Sequence, residues 1–246
     1  MRQRNYGRVG WRARIGVITP AIGMAVTADF HKIAPEGVAL VLTPVSEPLT
    51  EDTVEQLEKV GDYVADAAKK FLPAKVDVIV WNTSTGSLMK GYGYDKELIQ
   101  RIEKATGVPA TTASTGMLEA FAAFGVKKVC IAMPYVDAVN EREKKFIEDN
   151  GYKVLRYKGL QILPIGDILD VPAFTLYKLA KEVDLPEADA IFISCAGMSA
   201  TDILEDLEQD LGKPVMSTNQ VSLWSALRKA KIREPISGYG RLLREF

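Results

Sequence analysis

The sequence predicts an α/β fold of two similar lobes with mainly parallel sheets, and three observations carry that prediction. Short apolar runs alternate with amphipathic stretches along the whole chain, as strands joined by crossover helices require. Several of these runs stop at a proline or pass straight into small polar residues, which marks the loops after strands. Three features of the first half also recur in the same order in the second. Val17-Ile18-Thr19-Pro20 returns as Ile131-Ala132-Met133-Pro134, Trp81-Asn82-Thr83 as Ile193-Ser194-Cys195, and Gly107-Val108-Pro109 as Gly212-Lys213-Pro214. Ordered recurrence of this kind points to paired lobes. They divide as 1–125, carrying the Thr83 loop, and 126–246, carrying the Cys195 loop, with the C-terminal tail returning to the first lobe.

Taken in order, Met1 to Arg14 carries Arg2, Arg4, Arg8, Arg12 and Arg14 and reads as a solvated N-terminal segment. Strands follow at Ile15 to Thr19, halted by Pro20, and at Val38 to Leu42, each leading into a loop. A helix opens at Leu49-Thr50-Glu51-Asp52, with Thr50 as its cap and acids in its first turn. Val54, Leu57, Val60, Val64 and Ala67 keep helical spacing to about Phe71. Val76 to Trp81 is a buried strand that opens into Asn82-Thr83-Ser84-Thr85-Gly86-Ser87. The alternation continues with a helix over Asp95 to Thr106, a strand at Val108 to Thr112 and a helix over Ser114 to Phe124. A strand at Lys128 to Met133, a helix over Ala138 to Asn150 and a strand at Lys153 to Arg156 come next. The chain closes with a helix over Pro172 to Val183, the strand Ala190 to Ser194 running into Cys195, a helix over Thr201 to Leu211, a strand at Pro214 to Ser217 and a helix over Gln220 to Lys229.

Composition narrows the function classes. Lys and Arg number 31 against 32 Asp and Glu, so no general attraction to nucleic acid or anionic lipid is expected. The expected partner is a small molecule. Two distant cysteines, no apolar signal core and no run of membrane-spanning length favour a reducing cytoplasm, a Cys130–Cys195 disulfide being the lesser alternative. His31 is the single histidine and is expected in a surface loop, which leaves no His-rich metal site or Cys/His cluster.

Open parallel sheets bind ligands beyond the carboxyl ends of their strands. Paired lobes would therefore bring the Thr83 loop, the Cys195 loop and the turns at Pro20 and Pro134-Tyr135 to one cleft. Thr83, Ser84, Thr85 and Tyr135 supply hydroxyls, and Ala196 and Gly197 supply N–H groups near a helix start. Fixed donors of this kind suit a carboxylate that becomes an enediolate, and Cys195 would pass a proton to or from the adjacent carbon. Cys130, in mid-strand, reads as core. Thr83 to Ser87 admits an ordinary turn, or a phosphate-binding loop without its lysine and glycines, as alternatives to a carboxylate site, Tyr135 a strand cap, and Leu223 and Trp224 read as packing. Asn219 reads as the cap of the last helix rather than as a group that orients the cleft.

A resemblance joins these readings. The run Gly10-Trp11-Arg12-Ala13-Arg14-Ile15-Gly16, the Val80 to Ser87 loop, Pro134-Tyr135-Val136-Asp137-Ala138-Val139-Asn140-Glu141-Arg142 and Ser194-Cys195-Ala196-Gly197 carry the first part of it. Ser217-Thr218-Asn219-Gln220 with Leu223-Trp224, and Ser237-Gly238-Tyr239-Gly240-Arg241-Leu242, carry the rest. Together they resemble the arylmalonate decarboxylase and maleate cis-trans isomerase branch of the Asp/Glu racemase superfamily. The resemblance implies two pseudo-symmetric Rossmann-like lobes, an active site in the cleft between them, and no cofactor. Racemases and maleate isomerases of that superfamily use a cysteine from each lobe, and Thr83 stands where the first would fall. The isomerases also carry an asparagine just after the first strand, whereas Ile18-Thr19-Pro20-Ala21-Ile22-Gly23 has none.

On both counts the resemblance is to the decarboxylases, and what it implies is a carboxy-lyase acting on a small dicarboxylate. One carboxylate of a substituted malonate would rest on Ser84, Thr85, Tyr135 and the Ala196 and Gly197 amides, with Thr83 beside them. The other would lie in an apolar pocket near Pro20, Ala21 and part of Val38 to Leu49, where lost hydration favours departure of carbon dioxide. Cys195 would protonate the enediolate from one face. That role needs the thiol, whereas a helix N-terminus favours thiolate, and the sequence leaves the two open. The other readings are an isomerase or racemase, and a non-catalytic protein that binds a small carboxylate. A homo-oligomer is compatible with all three.

Overall fold

A computed structural model describes residues 7–20, 23–45 and 49–246. Its strands are β1 (Ala13–Thr19), β2 (Val38–Pro44), β3 (Val78–Trp81), β4 (Ala110–Thr112), β5 (Lys128–Met133), β6 (Lys153–Gly159), β7 (Ala190–Ile193) and β8 (Val215–Ser217). Helices of the first half are α1 (Met24–Ile33), α2 (Val54–Val60), α3 (Val64–Lys69), α4 (Ser84–Leu88), α5 (Tyr94–Thr106) and α6 (Ala113–Phe124). Those of the second are α7 (Asp137–Asp149), α8 (Ile165–Ile168), α9 (Ala173–Val183), α10 (Leu204–Leu211), α11 (Thr218–Lys229) and α12 (Arg241–Glu245). Two four-stranded sheets result, in the orders β2-β1-β3-β4 and β6-β5-β7-β8, with every strand pair parallel. The predicted α/β fold of two pseudo-symmetric lobes is what the chain adopts.

The repetition extends to individual hydrogen bonds. The Asp77 N–H donates to Arg14 O and the Asp189 N–H to Lys128 O. Each aspartate then accepts from the backbone of the residue it bonded, Arg14 N to Asp77 Oδ2 and Lys128 N to Asp189 Oδ2, both at 2.8 Å. Glu103 receives the Ala110 N–H and Glu208 the Val215 N–H, at 3.0 and 3.1 Å. These side chains fix the entry of β3, β7, β4 and β8 by satisfying backbone donors at strand ends.

Helices α6 and α11 occupy equivalent places in the two halves and pack against each other. Gly116 makes the close approach possible, because a Cβ there would lie 2.7 Å from the Val221 carbonyl oxygen. Thr111 and Ser225 join hydroxyls beside the contact at 2.8 Å. Phe246 packs edge to face on Phe124 with centroids 4.8 Å apart, and Arg12 pairs with Glu234. No helix among the described residues is long and apolar enough to cross a membrane.

Four local expectations are corrected. Helix α1 occupies a stretch read as loop, its buried Val26, Phe30 and Ile33 lying at helical spacing behind a Gly23 cap that carries no side-chain signal. His31 is accordingly an exposed helix residue, its Nδ1 2.7 Å from Thr27 O. Thr53, not Thr50, caps α2, accepting from Gln56 N. Residues 49–52 are extended instead of helical because tertiary pairing claims their backbone: the Asp52 N–H donates to Leu163 O, the Ile165 N–H donates to Thr50 O, and Glu51 bridges Pro164. The long helix expected to reach Phe71 is broken by a 3₁₀ turn over Gly61–Tyr63. Arg2, Arg4, Ala21 and residues 46–48 lie outside the described residues.

Helix α7 buries Val139, Asn140, Glu143, Phe146 and Ile147 on one face, so a carboxyl sits among apolar side chains. Both Glu143 oxygens are buried, and the Ser194 hydroxyl is the polar group that acts on them. Burial pushes this carboxyl up to about 7, with the Ser194 hydroxyl pulling the other way.

Two outcomes are expected. Gly116→Ala should destabilise the protein by about 1–3 kcal/mol, read as a lower denaturation midpoint, because the added methyl meets backbone. For Glu143 the folded chain holds a proton that the unfolded chain releases, so wild-type stability is full below pH 4.5 and falls as pH rises toward 7. Relative to Glu143→Gln, denaturant titrations should find wild type losing roughly 3 kcal/mol between pH 4 and pH 8.

Candidate active site

The two sheets present the carboxyl ends of β1, β3, β5 and β7 to one pocket. Its lining is Pro20, Leu49, Asp52, Leu57, Thr83, Ser84, Thr85, Tyr135, Ile165, Ile168, Cys195, Ala196 and Gly197. Apart from Ala21, which lies outside the described residues, the structure brings every residue expected at the site to this one place. Of the Val38 to Leu49 stretch, Leu49 lines the pocket.

Cys195 follows β7 with φ +146, a region that strongly favours glycine and costs a non-glycine residue about 1–3 kcal/mol. Three bonds hold it there or profit from it. Its N–H donates to Thr218 Oγ1 at 3.0 Å, the Gly197 N–H donates to its Sγ at 3.3 Å, and the preceding Ser194 N–H continues the sheet to Ala132 O. The sulfur thereby faces the pocket. Burial pushes the thiol up to about 12, and the negative charges of Asp52 and Glu143 act in the same direction against the Tyr135 hydroxyl and the Gly197 amide. The protonation state that the sequence left open is thus the neutral thiol at physiological pH.

Across the pocket, Thr83 occupies the place in the first half that Cys195 holds in the second. Its Oγ1 is buried without a partner among the described residues. Ser84 and Tyr135 share a hydrogen bond of 3.2 Å between hydroxyls. Tyr135 is fixed from behind, its carbonyl accepting from Asn140 Nδ2 at 2.9 Å, and burial holds its phenol well above the ordinary range, hence neutral.

Beneath these loops lies a second layer that the sequence reading did not place. Asn219 was read as a helix cap. Ser217 holds that role through a capping box with Gln220, and Asn219 instead orients the site. Its Nδ2 donates to Asp29 Oδ2 at 2.9 Å and to Ala196 O at 3.2 Å, while its Oδ1 accepts from Asn82 Nδ2 at 3.0 Å. Asp29 also accepts from Ser199, so a carboxyl of the first half braces the Cys195 loop of the second. Burial raises Asp29, and its bonds to Ser199 and Asn219 oppose that rise. Under the Thr83 loop, Ser87 and Ser114 play the matching part, both donating to Ser84 O, at 2.8 and 3.4 Å.

Asp52 is the other residue missed. It was read as a first-turn helix acid, but the pairing of 49–52 with 163–165 carries it into the pocket wall, 5% exposed. Burial pushes its carboxyl up to about 7, with no hydrogen bond or cation from the described residues opposing. Nothing in the local sequence separates it from a solvated acid. Glu143 was not singled out either, although it falls in step with Val139, Phe146 and Ile147 on the buried face of α7. Cys130 is buried in β5, and both cysteines are free, while Trp224 packs at the C-terminus with its Nε1 donating to Phe246 O.

A family model described as arylmalonate decarboxylase matches residues 15–243. The arylmalonate decarboxylase of Bordetella bronchiseptica is 30% identical over 237 residues, covering 94% of this chain and 96% of that one. A maleate isomerase of Nocardia farcinica is 24% identical over 225 residues, covering 87% and 80%. Among solved structures, a variant of arylmalonate decarboxylase in its liganded form superposes with a TM-score of 0.89 at 29% identity, covering 95% of this chain and 100% of that one. The Nocardia farcinica maleate cis-trans isomerase with a covalently bound succinylcysteine intermediate has the same fold, at a TM-score of 0.90 and 18% identity over 95% and 99% of the two chains. With the model spanning nearly its whole length, this chain belongs to the arylmalonate decarboxylase family.

Proposed function

We propose that this protein is a cofactor-independent decarboxylase of a substituted malonate, with Cys195 as the single proton donor. The observation that supports this most directly is the pairing of a buried neutral thiol on one side of the pocket with a hydroxyl, Thr83, at the equivalent place on the other. One carboxylate rests on the Ser84, Thr85 and Tyr135 hydroxyls and the amides of the Cys195 loop. The second faces the apolar wall of Pro20, Leu49, Leu57, Ile165 and Ile168, where it is stripped of water. The bond between it and the central carbon breaks, carbon dioxide leaves, and the electron pair enters the retained carboxylate as an enediolate. Preorganised donors stabilise the charge that develops there. Cys195 S–H then gives its proton to the carbon, and the thiolate left behind, solvated by the Gly197 N–H and the Tyr135 hydroxyl, regains a proton from water.

An isomerase that forms a cysteine adduct needs a thiolate before the reaction begins, and a thiol held at about 12 is poorly suited to that. Two-base racemisation needs a second acid or base opposite Cys195, where Thr83 offers none.

Phenylmalonate incubated with the protein should yield phenylacetate and carbon dioxide, with one deuterium at the α-carbon in heavy water. Cys195→Ala should lower turnover at least 10³-fold while diacid binding persists; undiminished turnover in that variant would remove Cys195 from the mechanism, and conversion of maleate to fumarate would replace the reaction class. Tyr135→Phe, which deletes one donor to the enediolate, should lower kcat about 10²-fold with KM little changed.

A further inference from the structure

Among the described residues, the pocket that would receive a diacid contains a carboxyl and no cation. Asp52, Tyr135 and Cys195 are the titratable residues of its described lining, and no Lys, Arg or His is among them. Among the described residues, the elements packed around Asp52 do not supply one. On α2, Glu55 is tied to Lys59 at 2.8 Å and Glu58 lies 3.9 Å from Arg142, both toward solvent. On α8, Asp167 is exposed, as is Glu51 in the preceding bridge. From α7, Glu143 adds a further buried acid. Asp52 is held in this wall by its own backbone, since its N–H donates to Leu163 O at 3.0 Å and the Glu51–Pro164 bridge fixes the residue before it. The pairing between 49–52 and 163–165 therefore fixes the backbone from which the Asp52 carboxyl reaches the pocket.

A malonate dianion beside an ionised Asp52 would place three negative charges in one desolvated pocket with only neutral donors to offset them. Like charges sharing such a site cannot all remain ionised. We propose that Asp52 is the specificity-determining residue of the pocket, sharing one proton with the second carboxyl of the substrate so that the diacid is bound with a proton rather than as a free dianion. This rests on the diacid reading of the preceding subsection. Burial already holds the Asp52 proton to about 7, and a bound anion moves it higher in the same direction. The shared proton also has a productive place: on Asp52 it leaves the substrate's second carboxyl ionised, the form that departs as carbon dioxide, and it keeps the wall facing the enediolate neutral. No proton is passed to the product from Asp52, that step remaining with Cys195.

The test is calorimetric titration of the full chain with malonate from pH 6 to pH 9, in two buffers of different ionisation enthalpy. Wild type should take up close to one proton per malonate at pH 8, and its affinity should fall about tenfold per pH unit above pH 8. Asp52→Asn, neutral at every pH, should bind with little proton uptake and a flat affinity over the same range, and Asp52→Ala provides the same readout should the amide disturb folding. Malonate binding by wild type without proton uptake would overturn the proposal, as would uptake that persists in both variants or a failure of malonate to bind at pH 6. The decarboxylase reading fails separately: proton-coupled binding with no release of carbon dioxide from phenylmalonate would sink that reading alone, and turnover with proton-free binding would sink this one alone.

Discussion

Burial with no cation among the described lining residues is the constraint on which the site depends. The two sheets close over a set of polar groups at their carboxyl ends, and among the described residues no Lys, Arg or His lines the pocket between them. In that setting the neutral form of every acid is favoured. The Cys195 thiol, the Tyr135 phenol and the Asp52 and Glu143 carboxyls all shift in the direction that retains a proton. A site of this kind holds anions with dipoles and hydrogen bonds instead of counter-charge. It is suited to charge that moves within a substrate and poorly suited to charge brought in by the protein.

The geometry that produces this environment was largely legible in the sequence. Thr83 and Cys195 each end an apolar run, and strand ends of equivalent order in two lobes must converge, so the pocket could be assembled from Pro20, Thr83 to Thr85, Tyr135 and Cys195 to Gly197 without coordinates. What escaped reading did so for separable physical reasons. Helix α1 starts at a glycine with no capping side chain. Residues 49–52 carry the composition of a helix N-terminus, yet long-range backbone pairing with 163–165 overrides that preference. Asp52 enters the pocket as a result, and local pattern cannot register a contact made across more than a hundred residues. Asn219 illustrates the opposite case. A polar residue at a helix start is usually a cap, and its use as a link between Asp29, Asn82 and Ala196 depends on partners from three other elements.

Likeness to both decarboxylase and isomerase relatives locates the fold and the family, while the chemistry turns on a few positions within them. With Thr83 at the place in the first half that Cys195 holds in the second, the pocket carries a hydroxyl on one side and a thiol on the other. The strained φ of Cys195 adds direction to that asymmetry, since it turns the sulfur inward at a position where a relaxed backbone would carry the side chain elsewhere.

The brace formed by Asp29 crosses from one half of the chain to the other. Helix α1 of the first half bonds Ser199 and Asn219 under the Cys195 loop, and helix α7 of the second half packs on α4, which follows Thr83. Each half thus completes the floor of its counterpart's loop. Neither half contains a finished site by itself, and the repeated unit of this architecture is the crossed pair rather than the lobe. A substitution that unseats α1 or α7 is consequently felt in the loop of the opposite half.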